Sequence, residues 1–158
     1  MKYELAPDIQ AKTQEISKIL FPHVRLDFVK CFRSYGTSSR GTIARCHGLG
    51  KLMQKALGFK AFYVLEFISE RFDKLPEEEK IKVIIHELMH IPFSFGGGFK
   101  HHDHVTERNI NKHYSIYKKI KETGGFLISN FQEDNKKSEI KYGKKENENK
   151  EKGNWFLL

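Results

Sequence analysis

The stretch from Leu75 to Pro92 constrains this chain more than any other, because it sets a histidine-bearing pentad inside a helix with almost no polar side. Pro76 and the acidic run Glu77-Glu78-Glu79 open it: proline in a first helical turn loses no hydrogen bond, and carboxylates there oppose the positive helix end. Ile81, Val83, Ile84, Ile85, Leu88 and Met89 then make the helix apolar on most sides, so it is expected to be buried, and Pro92 stops it. Into that helix falls His86-Glu87-Leu88-Met89-His90. Residues four apart lie one turn above each other, so two imidazoles reach one ion, while Glu87 points to the same side without becoming a comfortable ligand. Two histidines buried beside Ile84, Ile85 and Leu88 without a partner would be costly. The pattern therefore predicts a zinc site held by His86 and His90, with Glu87 as general base toward a water on the metal. Zinc acidifies such a water and polarises a scissile carbonyl, so the expected chemistry is hydrolysis.

A catalytic zinc takes three protein ligands and keeps one position open, so a third donor must come from elsewhere. Gly96-Gly97-Gly98 can fold the chain back under the helix, and just beyond it lie Lys100-His101-His102-Asp103-His104. His102 is favoured over His104, with His101 third; Asp103 is a further ligand or a group that orients a histidine through its second nitrogen. None of them sits six residues after His90, so the extended metzincin motif is absent. His113 is expected on a helix surface, and His23 and His47 in structural roles.

The rest of the chain supplies a scaffold of modest size. Its 158 residues have room for one compact domain, expected over residues 1–131. Apolar residues at helical spacing predict a helix over Asp8–Leu20. Alternation predicts a strand over His23–Phe32, followed by a turn-rich connection from Ser34 to Gly41. A strand at Thr42–His47, a short helix at Leu49–Leu57 stopped by Gly58, a central strand at Phe59–Ser69 and a last helix at Val105–Ile120 complete it. Residues 132–158 read as a polar arm that closes on the apolar Trp155-Phe156-Leu157-Leu158. That arm holds seven Lys against six Asp or Glu, so the net charge of +8 belongs mostly to the remainder and suits weak association with nucleic acid or acidic partners. No stretch is long and apolar enough to span a bilayer, and Met1-Lys2-Tyr3-Glu4-Leu5 has no leader-like core, so a cytoplasmic location is expected. Cys31 and Cys46 are too few for a disulfide scaffold and read as reduced thiols.

Between Val29 and Asn109 the chain resembles the small metallopeptidases of archaea and phages, a minimal zincin group. The resemblance rests on Cys31-Phe32-Arg33-Ser34, Ser39-Arg40, Ala44-Arg45-Cys46-His47-Gly48-Leu49, Tyr63-Val64-Leu65-Glu66, Ser69-Glu70-Arg71-Phe72-Asp73-Lys74-Leu75, and the pentad continued by Ile91-Pro92 and Phe95-Gly96-Gly97-Gly98. It implies an α+β, zincin-like domain in which a small, mostly antiparallel sheet packs against the active-site helix and flanking helices. It also implies a third histidine after the glycine turn; the protein or peptide substrate expected below is not inherited from it. Arg33, Arg40 and Arg45 all fall in the resembling segment. They are read either as a grip on a substrate carboxylate or a nucleic-acid phosphate, or as partners of Glu66, Glu70 or Asp73.

Two function classes follow. The first is a zinc peptidase acting on intracellular protein, with an extended substrate laid along a sheet edge beside the helix. A partial likeness to SprT-type proteases, which act near DNA, adds a DNA-dependent version, although the sequence shows no zinc ribbon. The second is a non-catalytic, zinc-stabilised binding module, for which His86, His90, His102 and His104 would close a four-ligand site.

Overall fold

The computed structural model describes residues 1–124; the arm expected over 132–158, with its closing Trp155–Leu158, lies outside them. Met1–Lys119 form one compact unit, and a second begins at Ile120, represented here by the last turn of the final helix.

Four strands make the sheet: β1 (Lys2–Leu5), β2 (Val29–Tyr35), β3 (Ala44–Gly48) and β4 (Tyr63–Ile68), in the order β1-β2-β4-β3. β1 runs antiparallel to β2 and β3 antiparallel to β4, while β2 and β4 are parallel, with Cys31 opposite Leu65. The fold is α+β and two of the three pairings are antiparallel, as the resemblance implies. Helices α1 (Pro7–Leu20), α2 (Lys51–Leu57), α3 (Ser69–Phe72), α4 (Glu77–Met89) and α5 (Glu107–Glu122) complete the described chain. None of these helices is long and apolar enough to cross a membrane.

Alternation along the central strands decides which face carries the core. Val29, Cys31, Tyr63, Leu65 and Phe67 point one way and are almost fully buried. That face meets α1, where the Cys31 thiol lies 3.4 Å from the Thr13 hydroxyl, and α4, whose Ile81, Ile84, Ile85 and Leu88 are buried in the same core. α1 starts on Pro7 in its first turn and buries Ile9, Thr13, Ile16 and Leu20 at helical spacing. Cys31 and Cys46 are unbridged.

Two elements depart from expectation. The strand placed at His23–Phe32 begins only at Val29, after a 3-10 turn over Leu26–Phe28, and runs on to Tyr35 through residues read as turn. The core phase is Val29 and Cys31 rather than Val24, Leu26 and Phe28; the earlier apolar residues pack without strand geometry. β1 was not expected at all. Its four residues are all exposed and the backbone ladder to β2 alone defines it.

Candidate metal centre

α4 delivers His86 and Glu87 from its last turn, and His90 caps its C-terminus with its backbone N–H bonded to the carbonyls of Glu87 and Leu88. Beyond the helix, Phe95 at φ 44° and Gly97 at φ 91° reverse the chain. Gly97 cannot be anything larger: a Cβ there would sit 2.1 Å from the Leu49 carbonyl oxygen and 2.3 Å from Gln54 Nε2. Tyr63 of the central strand pins this turn, its hydroxyl accepting from Gly97 N–H and donating to the Gly98 carbonyl, both at 2.8 Å. Gln54 donates to the Gly96 carbonyl at 3.0 Å. The returning strand of chain then docks on the helix end twice. Lys100 N–H donates to the His90 carbonyl at 2.8 Å, and His90 Nδ1 donates to the Lys100 carbonyl at 2.7 Å.

Those contacts put His102 against the helix histidines. The rings of His86, His90 and His102 lie 4.9–5.7 Å apart between centroids, and one nitrogen from each falls within 4.8 Å of the others. With His90 Nδ1 committed to a carbonyl, its Nε2 is left as the donor, and it faces His86 Nε2 at 3.1 Å. Two nitrogens bound ~2.05 Å from a tetrahedral ion would be about 3.3 Å apart, so the spacing suits a metal bridging them. Three imidazoles, one of them exposed, are the donor set of a site that keeps a side open to water. Burial, reinforced by the neighbouring His90 and His102, pushes His86 down to about 4, and burial likewise lowers His90. The rings are thus held in the uncharged form that binds a cation.

Glu87 is only 5% exposed. Burial raises its carboxyl to about 7, against the opposing effect of the backbone N–H of Cys46, which it accepts. That amide belongs to the outer edge of the sheet. Leu49 N–H bonds the Phe62 carbonyl and Ile68 N–H bonds the Ile43 carbonyl, so residues 43, 45, 47 and 49 spend their backbone groups on β4. Ala44, Cys46 and Gly48 point theirs outward. Among the described residues no strand pairs with this side of β3.

Elsewhere the expected site residues separate. His104 Nε2 lies 3.4 Å from Asp103, and among the described residues neither His101 nor His104 belongs to the histidine group. Arg33 has its fork taken up by two carboxylates, Asp8 at 2.6 and 2.7 Å and Asp73 at 3.1 Å. Arg40 is exposed in the 36–43 connection. Arg45 lies on β3 with one guanidinium nitrogen 3.6 Å from Glu66. His47 Nε2 is 2.7 Å from the other oxygen of that carboxylate. His113, expected on a helix surface, is half-buried: its ring stacks on Phe21 at 5.3 Å and burial lowers its pKa. His23 bonds the Ile91 carbonyl at 3.2 Å and buttresses the chain just past the helix. Tyr63, Gln54 and the Lys100 backbone went unnoticed in the sequence, where Tyr63 reads as one more core residue and a backbone contact leaves no sign.

No curated protein and no solved structure matches the chain. A family model does, over residues 1–124, and with that span matched the chain belongs to the family described as "Putative phage metallopeptidase".

Proposed function

We propose that the chain is a zinc-dependent peptidase that cuts peptide bonds in an intracellular protein, with His86, His90 and His102 as ligands and Glu87 as general base. The observation that carries this is the convergence of three imidazole nitrogens within 4.8 Å beside a carboxyl that burial holds near neutrality. Zinc bound there would supply a Lewis acid for the scissile carbonyl and acidify a water beside it. Glu87, next to His86 in the motif, would take a proton from a water held there and return it to the departing amide nitrogen. The outward backbone groups of Ala44 and Gly48, with the Cys46 carbonyl, receive an extended peptide as an added strand, which brings its carbonyls past the helix histidines and past Glu87, which holds the Cys46 N–H. The Gly97 turn fixes where His102 stands.

The three-ligand set with an exposed member favours catalysis over a closed structural site. Elemental analysis of the purified protein tests the metal: about one zinc per chain is expected in the wild type, and little in His86→Ala or His102→Ala. Full zinc retention in His102→Ala, with loss in His104→Ala, would overturn the ligand assignment.

A further inference from the structure

The two faces of β3 are not alike. One carries Cys46 toward α4; the other carries Arg45 and His47, whose side chains stay 34% and 52% exposed. There, Glu66 of β4 sits directly opposite Arg45 in the register and is 3% exposed. Its two oxygens meet different partners. His47 takes Oε2 at 2.7 Å, while Oε1 has no hydrogen bond and faces the Arg45 guanidinium across 3.6 Å. At that distance the pair is an ion pair without a hydrogen bond, so Glu66 anchors Arg45 by charge while leaving its N–H donors unspent. Arg33 is the contrasting case, with its donors committed to Asp8 and Asp73.

Strand geometry says what these donors would meet. A peptide added to the outer edge of β3 pairs its backbone with Ala44, Gly48 and the Cys46 carbonyl, the Cys46 N–H being held by Glu87, and so places side chains opposite Arg45 and His47 in the non-hydrogen-bonded positions. Those are the closer of the two cross-strand pairings, with Cα atoms about 4.5 Å apart. The two positions are two residues apart in the peptide, and both point to the face that carries Arg45 and His47. The cations near them are Arg45 on β3, Lys30 on β2, and Arg40 and Arg71 by the 36–43 connection, against the buried Glu66 and the exposed Glu70, which is bonded to Gly36 N–H.

We infer that Arg45, held in place by Glu66, forms a substrate subsite for an acidic side chain on a peptide bound along the outer edge of β3, with His47 beside it. Arg45 is the contact residue and Glu66 the positioning residue. This rests on the peptidase reading, and the experiment separates the two.

The test is cleavage of a mixed peptide library, read by mass spectrometry, with the zinc-loaded full chain. Aligned cleavage sites should show Asp or Glu enriched about fivefold over Ala at one position, the size of one cross-strand charge pair. In Arg45→Gln that enrichment should vanish, and in Arg45→Glu it should turn into a preference for Lys or Arg. Because Arg45→Gln leaves a buried carboxylate with one partner fewer, the double variant Arg45→Gln/Glu66→Gln restores neutrality and should also lose the preference. Lys30→Glu, on the same face but on β2, serves as control and should keep it. Cleavage by the wild type without any acidic preference, or an equal change in Lys30→Glu, overturns the subsite while the peptidase reading stands. No cleavage at all by the wild type overturns both.

Discussion

Glu66 and Glu87 are both all but removed from water, at 3% and 5% exposure, and they sit on opposite faces of the same pair of strands, yet they are held in opposite conditions. Burial raises each. For Glu87 nothing offsets it except one backbone N–H from Cys46, and its carboxyl rises to about 7. For Glu66 burial is outweighed by Ser34, His47 and Arg45, and the carboxyl ends below its ordinary value. The Ser34 hydroxyl is a near neighbour rather than a bonded partner, since both it and Glu66 Oε1 lack a hydrogen bond of normal geometry. The lesson is that desolvation sets the starting point and the count of donors decides the outcome. One face keeps a carboxylate as a fixed charge that organises its neighbours. The other keeps a carboxyl able to change its charge.

The largest effect should come from exchanging the two roles for amides. Glu87→Gln removes the carboxyl proposed as general base, so hydrolysis is expected to fall by about 10²–10⁴, while zinc content and fold persist. Its stability should hold or rise, because an amide is cheaper to bury than a carboxyl with one donor. Glu66→Gln should do the converse, leaving most of the activity on an Ala-bearing peptide. Turnover measured with thermal unfolding on both variants checks the contrast. If Glu66→Gln lost activity as heavily as Glu87→Gln, the division of labour between the faces would be wrong.

Next in size is Gly97→Ala. The added Cβ meets the Leu49 carbonyl oxygen at 2.1 Å, backbone that cannot turn aside, and φ of 91° adds strain of its own. A cost of about 2–5 kcal/mol is expected from overpacking and backbone conformation together. The variant should also bind zinc more weakly, because the Gly96–Gly98 turn sets the path to His102. Tyr63→Phe, which removes the hydroxyl that bridges Gly97 and Gly98, should shift zinc affinity in the same direction by less. Competition with a chelator gives both numbers. A Gly97→Ala protein that folds and holds zinc like the wild type would show that His102 is positioned some other way.

How much of this was legible in the sequence follows from the range of the contacts involved. α4 could be read because its signals are local: proline and acid at the start, apolar residues at helical spacing, proline beyond the end. His86, Glu87 and His90 came with it. Beyond the glycine turn His102 is favoured over His104 and His101 on the residues, but what sets it against the helix histidines leaves no local sign: Tyr63 reaching Gly98, 35 positions away, and the backbone exchange between Lys100 and His90. β1 had no signal, being four exposed residues on a sheet edge. The three arginines looked equivalent. Only the fold shows Arg33 consumed by Asp8 and Asp73 while Arg45 stands on the edge strand, and the charge of +8 by itself names no nucleic-acid contact.

The smallest effect concerns acid, and it distinguishes the two glutamates by their slopes. Glu66 has a folded pKa depressed below the ordinary 4.5, so the folded protein binds fewer protons there than the unfolded chain as pH falls past that value. Its contribution is fully present above about 4.5 and is lost as pH drops through the folded value. The groups facing it are Ser34, His47 and Arg45, and protonating the carboxylate removes the charge that all three meet. Replacing it with glutamine should cost about 1–3 kcal/mol at pH 7, the worth of hydrogen bonds and charge contacts to an ion, and progressively less toward pH 3. Urea unfolding of wild type and Glu66→Gln, taken at several pH values in the metal-free protein, gives the difference curve. A difference that stays constant into acid would mean that Glu66 titrates alike in the folded and unfolded chain, and one that grows toward acid would mean that it is already protonated when folded; in either case the contrast with Glu87 would be one of position alone.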